Sequence, residues 1–172
     1  MPKGMECTLK SINVRTEKHG DDEVLAVDLG FEVTLSRKLI RKYLCTEIDW
    51  WLDDTDQTPR GSISKVISSY EHSNVRADLR DVLGRDEDMI RCAPAKLNSF
   101  KMTPKHHGVA ETTFRLQVSG VSEERIGELS GLLHSTVWVD IAERKEATEE
   151  PTESQPSLPG TGMADSGNGE AV

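Results

Sequence analysis

No stretch of this sequence approaches the roughly 18 consecutive apolar residues that a membrane-spanning helix needs. The amino-terminal run from Met1 to Glu6 also lacks the apolar core of a secretion signal. The chain is therefore expected to work in the cytoplasm, with no membrane among its partners. Only three cysteines occur, Cys7, Cys45 and Cys92, and none stands in a Cys-x-x-Cys spacing. That pattern argues against the common zinc and dithiol motifs and for reduced thiols. Also missing are a Gly-x-Ser-x-Gly elbow and the glycine-rich phosphate loops of dinucleotide-binding and P-loop proteins. Ser62-Ile63-Ser64-Lys65 spells the Ser-x-x-Lys of some acyl-transfer enzymes, but its companion motifs are lacking. The chain reads as a non-enzyme without catalytic residues, cofactor or bound metal.

Basic residues are absent from 146 to 172, which hold six acids and thus −6 of the net charge of −9. The remainder has 21 bases against 24 acids. This near balance excludes a strongly basic nucleic-acid binder while leaving room for a local basic face. The last segment is rich in Glu, Thr, Ser, Pro and Gly and has almost no large apolar side chains, so it cannot offset the entropy of ordering. The organisation expected is one domain over residues 1–145 and a disordered acidic tail over 146–172.

Within the domain, Leu9 to Gly20 matches Leu97 to Gly108: Leu, Ser, His and Gly recur in place, and both read Leu-x-Ser-apolar-x-apolar before a polar run. In both copies the apolar parity changes between the leucine and the next apolar residue, Ile12 or Phe100. A regular strand cannot do this, so the spacing predicts a β-bulge near Lys10-Ser11 and its counterpart. Gly20 supplies the following turn. Returning strands follow, the first alternating Leu25, Val27, Leu29, Phe31, Val33 and Leu35 with mostly polar residues, the second centred on Phe114, Leu116 and Val118. Phe31 to Ser36 aligns with Phe114 to Ser119.

Each returning strand runs into a helical pattern. Ser36 precedes Leu39, Ile40, Tyr43 and Leu44, and Ser122 precedes Ile126, Leu129, Leu132 and Leu133. Val137, Val139 and Ile141 mark a last strand, whose expected counterpart at 47–52 is irregular. The loop from Asp53 to Gly61 is followed by helical spacings at Ile63, Val66, Ile67 and Tyr70 and at Val75, Leu79, Val82 and Leu83, which predict one or two short helices. The expected fold class is α+β: two pseudo-repeated strand-strand-helix units, about 7–52 and 89–143, form a curved antiparallel sheet or sandwich around an irregular, partly helical insert at 53–88.

The candidate nucleic-acid-binding residues are Arg37, Lys38, Arg41 and Lys42, which fall on the helix face opposite Leu39, Ile40, Tyr43 and Leu44, together with Lys101 and Lys105. Lys10, Arg15 and Lys18 extend this basic set, and Trp50 or Trp51 offers a stacking surface. The competing reading is a solvated helix face and core tryptophans. His19, His106 and His107 fall at turns and read as exposed. Asp49, Asp53, Asp54 and Asp56 read as a solvated acidic loop, since the calcium-loop spacing is not met.

Phe31-Glu32-Val33-Thr34-Leu35-Ser36 leading into a helix, and Thr113 to Val118 leading through Glu124 to Leu133 to the strand Thr136 to Ile141, resemble a group of small early-region proteins of tailed bacteriophages. The resemblance spans most of residues 5–143, is weakest between Asp53 and Asp88, and carries over no functional residue. It implies an accessory role beside recombination or replication genes, in the cytoplasm of a bacterial host cell. The function expected is a non-enzymatic protein binding single-stranded DNA or a DNA-processing protein, with oligomers possible. The alternatives are an interaction module modifying or inhibiting a host enzyme and, third, a metal-dependent nuclease using the Asp49 to Asp56 region.

Overall fold

A computed structural model describes residues 4–44 and 64–144. The first hairpin joins β1 (Met5–His19) to β2 (Asp22–Ser36), with Gly20 at φ +67° in the tight turn, a conformation glycine adopts without steric penalty. β2 leads into α1 (Arg37–Leu44). β3 (Val66–Ser68) and β4 (His72–Asp81) come next. A second hairpin of β5 (Ile90–Pro104) and β6 (Val109–Ser119) precedes α2 (Glu123–Gly131) and β7 (Thr136–Glu143).

Antiparallel pairing runs β5-β4-β7-β1-β2-β6, and β6 pairs back onto β5. The six strands thus form a closed barrel, which removes the free edges an open sheet would expose. β3 is the seventh strand and lies on β5 at Phe100 to Met102, beside the end of β4. Leu9, Leu29, Leu79, Leu116, Val137 and Val139 are fully buried inside, in one continuous core. Among the described residues, Ile40 of α1 and Leu129 of α2 are buried in that core, and Leu39 and Ile126 pack against it.

This architecture overturns the expected α+β class of two strand-strand-helix units. The helices are only 8 and 9 residues long, and the two hairpins are parts of one barrel wall. The expected helices between 62 and 83 are also overturned for the described residues. Val75, Ala77 and Leu79 alternate inward while Arg76 and Arg80 face outward, so the period is two, and the i, i+4 match of Val75 and Leu79 is incidental. The consequence is topological. Without β4 there are five strands and an open curved sheet; with it, β5 and β7 are joined and the sheet closes.

Both bulges exist. β1 shifts register on β2 between Leu9 and Ser11, and β5 shifts on β6 between Asn98 and Lys101. The aligned Phe31 and Phe114 become direct partners across β2 and β6, and their rings stack with centroids 5.1 Å apart. The cap expected on α2 is formed: Ser122 Oγ accepts a hydrogen bond from the Arg125 amide at 3.2 Å.

Candidate functional site

The two bulges lie on either side of the Phe31–Phe114 row, one on β1 and one on β5. A bulge inserts a residue without inverting the side chains beyond it, so two neighbours point to the same side. Leu9 is buried and Ile12 packs on the core, leaving both Lys10 and Ser11 exposed outside. On β5, Leu97 and Phe100 are buried while Ser99, at φ +58°, is exposed. The outer surface between them dips at Gly30, where a methyl group would collide with Ser11 Oγ. The result is a shallow saddle of about 270 Å³, edged by Lys10, Ser11, Glu32, Ser99, Lys101 and Arg115.

Polar contacts hold this surface in place across four strands. Asp28, almost buried on β2, accepts hydrogen bonds from Arg15 Nε at 3.1 Å and Gln117 Nε2 at 3.3 Å. Gln117 Oε1 accepts from Asn98 Nδ2 at 2.8 Å. Arg15 also pairs with Glu17, which takes a hydrogen bond from Ser119 Oγ at 2.5 Å. Hydrogen bonding to Glu17 first, and then to Asp28, raises the Arg15 pKa above its ordinary value despite some desolvation.

The cations at the saddle are less fully engaged. Lys10 Nζ meets Glu32 at 3.0 Å, but Arg115 reaches Asp28 only at 3.8 Å. Lys101 makes no ion pair among the described residues. It stands between Thr113 of β6 and the exposed Ile67 of β3. Ser11 Oγ likewise has no hydrogen-bond partner among the described residues.

The basic residues expected from the sequence divide between two places. Lys101 faces the saddle. Arg37, Lys38 and Arg41 begin α1 where Ser36 pairs with Val109, six residues or about 20 Å along β2 from Gly30. Lys105 lies at that same barrel end, its amide donating to the Val109 carbonyl at 2.9 Å and its ammonium pairing with Glu111 at 3.0 Å. Lys38 and Arg41 are exposed and Arg37 is half-buried; both arginines are already engaged with neighbours. His106 and His107 are exposed beside Lys105. The Lys42 side chain, Trp50, Trp51, the Asp49 to Asp56 cluster, Ser62 and the tail lie outside the described residues.

Sequence reasoning missed Arg115, the hydroxyls of Ser11 and Ser99 as surface groups, and Gly30. One signal was present: a lone glycine interrupts the outward polar row of β2, a place where close approach from a neighbouring strand is expected.

A second depression, of about 240 Å³, lies beside α2 and includes Arg91, Cys92, Ser122 and Arg125. Its arginines are committed, Arg91 to Asp78 at 3.2 Å and Arg125 to Glu128 at 3.0 Å. Cys7 and Cys92 are free, buried thiols. Burial pushes both up to about 12, with Glu6 adding to the shift at Cys7, while at Cys92 Arg125 opposes it. At neutral pH these thiols hold their protons and are poor nucleophiles. Among the described residues no cluster of three or more His, Cys, Asp or Glu side chains is arranged to hold a metal, and no helix is long and apolar enough to cross a membrane. Comparisons of the chain with protein-family models, with curated proteins and with solved structures gave no match.

Proposed function

We propose that this chain is a non-enzymatic accessory protein that binds single-stranded DNA across the outer face of β1, β2, β6 and β5, within the recombination or replication setting implied by its resemblance to phage early proteins. One observation carries the reading: in a protein of net charge −9, the described residues lining the saddle include the three cations Lys10, Lys101 and Arg115 and, as their one carboxylate, Glu32. The barrel interior is packed with side chains, which directs a ligand to the outside. Lys38 and Arg41 lie at the end of the same β2 ridge, so a bound strand has a second basic contact. Backbone phosphates recognised by scattered cations make affinity salt-dependent and weakly dependent on sequence.

The second reading, an interaction module for a host enzyme or a DNA-processing protein, is favoured by Leu83. It is 94% exposed, and Asp81, Asp86, Glu87 and Asp88 flank it in sequence together with Arg80 and Arg85, which pair with Asp86 and Glu87, a pattern suited to an apolar anchor within a charged rim. Fluorescence anisotropy with the full chain separates the two readings. Labelled single-stranded and duplex oligonucleotides are titrated over a salt series, and single strands should bind tighter, with affinity falling as salt rises. Absence of salt-dependent binding to either oligonucleotide would overturn the DNA reading.

A further inference from the structure

We infer that the saddle between the two bulges is a seat for one phosphate group, held chiefly by Lys101, Arg115 and Ser11. The inference rests on the DNA reading for its natural ligand, a backbone phosphodiester, but the seat is defined by its own geometry. Three features converge there. Lys101 and Ser11 Oγ have no partners among the described residues, and Arg115 is tied only by the long 3.8 Å approach to Asp28. These groups supply a point charge, a hydroxyl donor and a planar fork of N–H donors, the set that suits a tetrahedral oxyanion.

The floor is shaped for such a ligand. Because Gly30 has no side chain, Ser11 Oγ can lean over it, and any larger residue would displace that hydroxyl. The bulge on β1 is what turns Ser11 outward beside Lys10, and the bulge on β5 turns Ser99 outward before Lys101. Ser99 Oγ donates to Asn98 Oδ1 at 3.0 Å, which makes it a secondary contact available on rotation. Lys10, balanced by Glu32, adds background charge. The depression is open and shallow, so a phosphate can settle in it while both of its ester-linked neighbours leave along the surface. The cavity beside α2 lacks this property because Arg91 and Arg125 are each paired with a carboxylate.

The test uses the isotopically labelled full chain, titrated first with inorganic phosphate and then with a short oligothymidylate, while backbone amide shifts are followed. Saturable shifts centred on Ser11, Gly30, Ser99, Lys101 and Thr113 are expected. Lys101→Ala and, separately, Arg115→Gln should each weaken phosphate binding roughly tenfold, as loss of a charge-assisted contact implies. Gly30→Ala should weaken it through displacement of Ser11, and Arg125→Ala, at the cavity beside α2, should leave it unchanged. Lys101 is exposed, so its variant keeps the fold, and spectral dispersion verifies this for the others. Phosphate shifts at the saddle without oligonucleotide binding would keep the seat and defeat the DNA reading. DNA binding that is insensitive to Lys101→Ala and Arg115→Gln but lost on charge reversal at Lys38 and Arg41, or phosphate leaving the saddle amides unmoved, would overturn the seat.

Discussion

Replacing Leu79 by alanine and, separately, Leu83 by alanine distinguishes the barrel from any fold in which residues 75–83 are helical. On a helix these leucines share a face at i and i+4 and would be buried together. In the barrel Leu79 is completely buried on β4, whereas Leu83, beyond the strand, is 94% exposed. A fully enclosed Leu→Ala change loses both transfer energy and packing, about 3 kcal/mol within a range of roughly 2.7–5. An exposed one stays within about 0.5 kcal/mol. With a urea m-value of roughly 2 kcal/mol/M, the midpoint should fall by about 1.5 M for Leu79→Ala and by less than about 0.25 M for Leu83→Ala. Urea unfolding followed by circular dichroism measures both, and the larger loss still leaves a domain of ordinary stability folded. Equal shifts in the two variants would refute the assignment of β4 and, with it, barrel closure.

Three further outcomes follow from particular contacts. Ser122→Ala removes the side-chain acceptor at the start of α2 and should cost about 1 kcal/mol in urea unfolding; a change below the measurement error would mean the cap contributes nothing. Phe114→Ala should cost about 3–5 kcal/mol, and a double-mutant cycle with Phe31→Leu should reveal coupling of about 0.5–1.5 kcal/mol from the stacked rings; strict additivity would contradict that contact. The buried thiols bind protons more tightly in the folded chain than in the unfolded one, so their contribution is complete below pH 9 and is lost as pH rises from there towards about 12. On a Cys45→Ser background, a thiol reagent at pH 8 should leave Cys7 and Cys92 unmodified until urea is added, and prompt reaction of the native protein would contradict their burial.

Local features of the fold were legible because each has a local cause. The parity change from Leu9 to Ile12 announced a bulge, Gly20 a turn, and Ser122 a cap, and all three are present. Fold class was not legible, because closure depends on a strand whose spacing admits two periods. Val75 and Leu79 fit a helix as well as a strand, and only the pairing of β4 with β5 and β7 decides between them. The site was legible in part. Lys101 was identified from charge alone, whereas Arg115 looked like one more polar residue on a returning strand. Its relation to Lys101 arises only when β5 and β6 bring Asn98 opposite Arg115 and Lys101 opposite Thr113. The basic face of α1 lies at the barrel end near Lys105 and not at the saddle.

Hydrogen exchange of the full chain with and without a saturating oligothymidylate tests most directly whether DNA lies on the outer face of β1, β2, β6 and β5. Binding there predicts slowed exchange at Lys10 and Ser11, Gly30 to Glu32, Ser99 to Lys101 and Thr113 to Arg115, with a second protected patch at the start of α1. Protection confined to the outer face of β4 and β7, around Asp78 and Asp140, or no binding at any salt concentration, would contradict it.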